Sequence, residues 1–183
     1  GTARRFELKG RAAGVKVIDD YAHHPTEISA TLQAAREEAP SGRLLVLFQP
    51  HLYSRTREFA AQFAAALSAA DLVWLLDVYG AREQPLPGVS SDLIADLMDP
   101  AVATRVSQFQ AAPGLVAAAA HPGDLIFTMG AGDVTELGLP LLEALRQRES
   151  EGGGPSGLGS SGGFEPGGGE PLRSSELTGP AGP

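Results

Sequence analysis

Four stretches of this chain are apolar almost without a break: Val15 to Ile18, Leu44 to Phe48, Leu72 to Leu76 and Leu125 to Met129. Each has only four or five residues. Runs that short and that continuous suit strands covered on both faces, the condition of a parallel sheet. Phe6 to Leu8 and Ala103 to Phe109 are weaker runs, expected nearer a sheet edge.

Helical patterns lie between these runs. From Pro25 to Ala39 the apolar side chains fall at Ile28, Leu32, Ala35 and Ala39. Pro25 suits the first helical position, and Pro40-Ser41-Gly42 stops the helix. Phe59, Phe63, Leu67 and Ala70 mark a second helix over Arg57 to Ala70, and Ser91 to Met98, Gly114 to Ala120 and Val134 to Arg148 complete the set. Alternation of strand and helix at this spacing implies βαβ units with right-handed crossovers. The expected class is α/β: a three-layer, Rossmann-like fold with a mostly parallel sheet and helices on both faces.

The pattern stops before the chain does. Residues 1–150 carry it, whereas 151–183 are dominated by Gly, Pro and Ser and are read as a disordered tail, too poor in apolar surface to offset chain entropy. That segment holds four Glu and one Arg, leaving −5 of the total charge of −8 to residues 1–150. Neither part has a basic run, so neither a nucleic-acid surface nor an anionic membrane surface is expected. Absence of cysteine excludes disulfides and thiolate metal sites. No signal peptide or membrane-length apolar run is present, and a cytoplasmic location is the default.

In open parallel sheets ligands bind at the carboxyl ends of the strands, and three of those junctions are unusually polar. The first is Asp19-Asp20-Tyr21-Ala22-His23-His24-Pro25-Thr26-Glu27. His24 is expected to cap the helix and Asp19 to bond loop amides. Asp20 and His23 have no such duty and are candidate functional residues. The spacing is too tight for the His pair of a helical zinc site.

The second junction is Phe48-Gln49-Pro50-His51-Leu52-Tyr53-Ser54-Arg55-Thr56-Arg57-Glu58. His51, Arg55 and Arg57 place positive charge beside a helix N-terminus, which suits a carboxylate or a phosphate. Equally, the arginines could pair with Asp20 or Glu58. The third is Met129-Gly130-Ala131-Gly132-Asp133-Val134-Thr135. Either its glycines let a backbone approach a ligand, or the turn is merely tight with Asp133 as N-cap. By themselves these residues define a domain holding a small anionic ligand at its strand ends, with Asp20, His23, His51 and Arg55 the leading candidates.

These three motifs, together with Leu76-Asp77-Val78-Tyr79, occur in an order that closely resembles the C-terminal domain of the bacterial Mur ligase family, and within it the branch that adds L-alanine. The resemblance spans Gly1 to Arg148. It implies a domain that closes over a central ATPase domain, bringing the amino acid and part of the nucleotide site. The implied reaction joins L-alanine to UDP-N-acetylmuramate through an acyl phosphate, with ATP and Mg²⁺ as cofactors and the metal's ligands in the central domain. By position, Arg5 and Asp20 would serve ATP. Tyr21, His23, His51, Arg55 and Ala131 would surround L-alanine. No metal ligand is assigned.

Many family members carry arginine where this chain has Leu52, so one positive charge beside the alanine site is missing. The only lysines, Lys9 and Lys16, lie in no phosphate-binding loop, so the chain alone is expected to be inactive. Two other readings remain: a ligase that recycles murein tripeptide, and a non-catalytic module binding nucleotide or amino acid.

Overall fold

The computed structural model of the chain describes residues 5–152. The reading of 153–183 as a tail lies outside the described residues. The last helix includes Glu151 and Gly152, so regular structure runs slightly past the expected boundary.

Six strands form one sheet: β1 (Glu7–Ala12), β2 (Val15–Asp20), β3 (Leu44–Phe48), β4 (Leu72–Leu76), β5 (Ala103–Val106) and β6 (Leu125–Met129), in the order β1-β2-β6-β3-β4-β5. Only the β1–β2 pair is antiparallel. The two weak runs are the two edges, as expected. An edge strand has one partner and less cover, so its sequence needs fewer apolar residues.

Helices α1 (Pro25–Glu38), α2 (Tyr53–Leu67) and α3 (Asp92–Ala95) share a core with one face of the sheet. Helices α4 (Ala112–Ala119) and α5 (Gly138–Gly152) cover the other, the latter entered through a 3₁₀ turn at Asp133–Leu137. Side chains alternate across each strand. Leu44, Val46 and Phe48 of β3 therefore join the first core, and Leu45 and Leu47 the second. Both layers are apolar because each strand must satisfy both, which is why the runs are unbroken.

The largest departure from the sequence reading is in α2. It begins at Tyr53 rather than Arg57, and Phe59 has non-helical angles (φ −112°, ψ 18°) that kink it. Beyond the kink, Phe63 and Leu67 are fully buried, each contributing about 2–3 kcal/mol by leaving water. Before it, one turn carrying Tyr53, Ser54 and Arg55 stands at the carboxyl end of β3.

Candidate functional site

β6 lies between β2 and β3, so the loops after these three strands, together with the loop after β4, converge at the carboxyl edge of the sheet. The motifs singled out in the sequence meet there. His24 is the N-cap of α1, its Nδ1 accepting from the Thr26 amide at 3.4 Å, as expected.

The amide-bonding duty expected of Asp19 falls to Asp20, and Asp19 bonds hydroxyls instead. Because β2 runs through Asp20, Asp19 and Asp20 point to opposite faces. Asp19 is fully buried and accepts from the hydroxyls of Thr128 (2.7 Å) and Thr135 (2.9 Å), fastening the 3₁₀ turn to the sheet. Asp20, 2% exposed, is the one that bonds amides: those of Phe6 and Ala22, both at 2.8 Å. So Asp20 has a structural duty that the sequence did not reveal, holding the approach to β1 against the first loop.

In the second junction neither arginine pairs with Asp20 or Glu58. Arg55 Nη1 lies 3.3 Å from Nδ1 of His51, one helical turn earlier. A guanidinium only donates, which assigns Nδ1 of His51 as acceptor and leaves the hydrogen on Nε2. No carboxylate among the described residues forms an ion pair with Arg55.

The helix end itself is already occupied. Glu83, from the loop after β4, accepts from the Ser54 amide at 3.0 Å and from the Ser54 hydroxyl. Those bonds, with smaller contributions from the Tyr53 amide and His51, hold its carboxyl below the usual range. The expectation of a ligand anion at this helix end is therefore replaced. The chain supplies its own carboxylate there. Arg105 steadies the Glu83 loop through Asp77 (2.8 Å) and Asp92 (2.6 Å).

Between these groups runs a row of rings. Tyr21 and His23 are 4.9 Å apart, His23 and His51 5.8 Å, and His51 stacks on Tyr79 at 5.7 Å. Tyr79, at the end of the Leu76–Tyr79 motif, is a member of the row that the sequence does not single out. A bridge sets it beside His51, with the Tyr79 amide donating to Pro50 O and the Leu52 amide to Tyr79 O, both at 2.8 Å. Leu52 adopts φ 73°, ψ 132° to make that turn, a conformation costing a side-chain-bearing residue on the order of 1–3 kcal/mol. Tyr21 and Tyr79 are 39% and 37% exposed. The row is thus a partly exposed shelf.

The glycine turn closes the shelf from below, and its glycines make room for protein rather than for a ligand. A Cβ on Gly132 would meet Gln49 Oε1 at 2.5 Å and the Tyr79 ring at 2.7 Å. One on Gly130, at φ 146°, would meet Gln49 O at 2.8 Å. Half-buried Ala131 sits between them. Asp133 is not the cap; Gly132 holds that position. The buried Gln49 does the work instead, accepting from the Val134 amide at 3.1 Å and donating to Asp133 at 2.6 Å. Arg5, more than half exposed, pairs with Glu27 at 3.0 Å at the rim of the first loop.

His51 is driven toward its neutral form, first by burial and then by the charges of Arg55 and His23, with Glu83 opposing. Its folded proton affinity therefore lies below the ordinary value of 6.5. The unfolded chain takes up the proton first as pH falls, so the associated stability is intact above 6.5 and is lost on descending through the lower, folded value. Melting temperature should fall in that window, before the carboxylates titrate, and His51→Gln should flatten the fall. A slope unchanged by the substitution would show that His51 does not titrate abnormally.

With this geometry in view, the comparisons are direct. The family model described as Mur ligase, glutamate ligase domain, matches residues 4–132, and the chain belongs to that family. Among curated relatives, the UDP-N-acetylmuramate–L-alanine ligase of Mycobacterium bovis (strain BCG / Pasteur 1173P2) is 60% identical over 156 residues, covering 81% of this chain and 31% of that protein. This chain thus spans about a third of the length of the curated relatives it matches. A crystal structure of the UDP-N-acetylmuramate–alanine ligase of Thermotoga maritima is 28% identical with a TM-score of 0.64, covering 80% of this chain and 30% of that one. A crystallised domain of a putative UDP-N-acetylmuramate:L-alanyl-gamma-D-glutamyl-diaminopimelate ligase from Haemophilus ducreyi is 30% identical with a TM-score of 0.60, covering 77% of this chain and 99% of that one. Among the described residues, no group of three His, Asp or Glu side chains is placed to hold a metal, and no helix is long and apolar enough to cross a membrane.

Proposed function

We propose that residues 1–150 are the amino-acid-binding, nucleotide-closing domain of an ATP-dependent ligase that joins L-alanine to UDP-N-acetylmuramate. The observation that carries this reading is the Arg55–His51 pair, with no carboxylate among the described residues ion-paired to the arginine, at the carboxyl end of β3. The guanidinium of Arg55 can offer its own two parallel N–H donors to one small carboxylate, while the Nε2–H of His51, on the far side of the ring from Arg55, is a separate donor. Tyr21 and His23 stand beside it within the span of an α-amino acid. The relatives named above supply the substrate identities.

On this reading Arg55 holds the alanine carboxylate, His51 borders the same site with its Nε2–H as a separate donor, Glu83 keeps the helix end from competing, and the ring row shapes the floor. Ala131 borders the same pocket. The exposed shelf gains its second wall by closing on an ATPase domain, with Arg5 at the rim facing the nucleotide and Asp20 close to its ribose. ATP, carrying Mg²⁺, would convert the muramate carboxylate to an acyl phosphate on that other domain. The residues of this site orient the amine toward it and exclude water. No nucleic-acid or membrane partner is included, and the reaction is placed in the cytoplasm.

The test is phosphate release from ATP with UDP-N-acetylmuramate and L-alanine. This chain is assayed alone and then with a separately expressed piece of a relative carrying the ATPase domain. Turnover is expected only in the mixture. Two folded pieces that remain silent together would instead support a non-catalytic binding module.

A further inference from the structure

The two histidines of the ring row differ in which nitrogen is committed. His51 Nδ1 faces a guanidinium, which only donates, so that nitrogen accepts and Nε2 keeps the hydrogen. His23 Nδ1 lies 2.9 Å from the backbone carbonyl of Tyr21, which only accepts. That nitrogen must donate, leaving the lone pair on Nε2. Neighbouring rings 5.8 Å apart thus present opposite chemistry: a donor at His51 and an acceptor at His23.

A zwitterionic amino acid needs that asymmetry. Its carboxylate wants donors and its ammonium an acceptor. Before the amine can attack a carbonyl it must also lose a proton to free its electron pair. Glu27 Oε1 lies 4.0 Å from Nδ1 of His23, on the side away from the lone pair. The other oxygen of Glu27 is held by Arg5 at 3.0 Å. Tyr21 stands edge-on to the ring. Arg55 lies beyond His51.

The geometry points to His23 as the group that takes the proton from the attacking amine through Nε2, with Glu27 behind it as a positioning carboxylate shared with Arg5. This rests on the ligase reading above and deepens it. The ammonium gives one proton to Nε2, and the freed pair forms the C–N bond at the acyl phosphate carbon. The C–O bond to phosphate breaks, the oxygen keeping its electrons. The leaving phosphate takes the second amine proton, giving an amide and hydrogen phosphate. Glu27 acts only through His23. Because Arg5 holds the same carboxylate, movement of Arg5 toward a polyanion would leave all of Glu27's charge to His23.

Two measurements decide it. Long-range proton–nitrogen correlation on this chain should show His23 protonated on Nδ1 with a bare Nε2, and His51 the reverse. The same protonated nitrogen on both rings overturns the assignment. The second measurement uses the domain joined with an ATPase-bearing partner and His23→Asn. That variant keeps a donor for the Tyr21 carbonyl but has nothing at Nε2. Amide formation with L-alanine should drop by about 10²–10³-fold. Hydroxylamine is already neutral near pH 7 and needs no base, so hydroxamate trapped with it should fall far less. Raising the pH should recover part of the alanine rate. Equal loss of amide and hydroxamate would make His23 merely structural and overturn the proposal. Glu27→Gln should shift the pH profile for alanine but not for hydroxylamine; profiles moving together would remove Glu27 from the scheme. If the unsubstituted enzyme yields neither amide nor hydroxamate, the ligase reading itself falls, an outcome distinct from each of these.

Discussion

Replacing Arg55 by alanine should raise the L-alanine requirement of the assembled ligase by roughly 30- to 150-fold while leaving the ATP requirement near its original value. The magnitude is that of a charge-assisted contact worth about 2–3 kcal/mol. Selectivity follows from position: Arg55 stands in the first turn of α2 against His51, whereas Arg5 lies at the rim of another loop. Arg55→Lys should restore only part of the loss, because an ammonium cannot bond the carboxylate and His51 Nδ1 in one plane. Removing Arg55 also removes one of the charges that keep His51 neutral, so His51 should take up its proton at higher pH in the alanine variant. Burial, the larger cause, remains and limits that rise. Steady-state kinetics against each substrate checks the first claim. An unchanged alanine dependence would end the carboxylate role of Arg55.

The second large effect concerns stability. Asp20→Ala leaves the Phe6 and Ala22 amides without their acceptor in a site 2% exposed. Two charge-assisted bonds of that kind predict a loss of about 3–5 kcal/mol, or a melting point lower by about 10 °C, with no nucleotide present. Asp20→Asn keeps one acceptor oxygen and should lose about half as much. If the Asn variant, once folded, needs more ATP, Asp20 serves the ribose as well as the fold. If it needs no more, the carboxylate is structural alone. A full-strength melting transition in Asp20→Ala would remove the structural duty.

Much of the frame was legible because its cause is local. The runs at Leu44–Phe48 and Leu125–Met129 are unbroken since helices cover both faces, and short since each strand crosses a single layer. The cap at His24 was legible for the same reason: a cap and its amide are two residues apart. Failures fall where the determinant is distant in the chain. The first turn of α2 is polar, and what starts it is Glu83, some thirty residues on, accepting from Ser54. Gln49 is a plain polar residue in the sequence, and only its contacts with Val134 and Asp133 show that it fastens the glycine turn. The different duties of Asp19 and Asp20 were within reach. Extending β2 to Asp20 puts the pair on opposite faces by parity, but the apolar run ends at Ile18 and the strand was read as ending with it. Among the site residues, His23, His51 and Arg55 do meet, as their places at successive strand ends imply.

The bend at Phe59 has a further meaning. It divides α2 into a short piece at the carboxyl end of β3 and a longer piece clamped by Phe63 and Leu67. Change in the one need not be transmitted to the other, so Tyr53, Ser54, Arg55 and the strained Leu52 can be rewritten while the clamp stays as it is. A scaffold jointed in that way can be retuned for a different amino acid by a handful of neighbouring codons, and its solubility and folding need not be put at risk by the experiment.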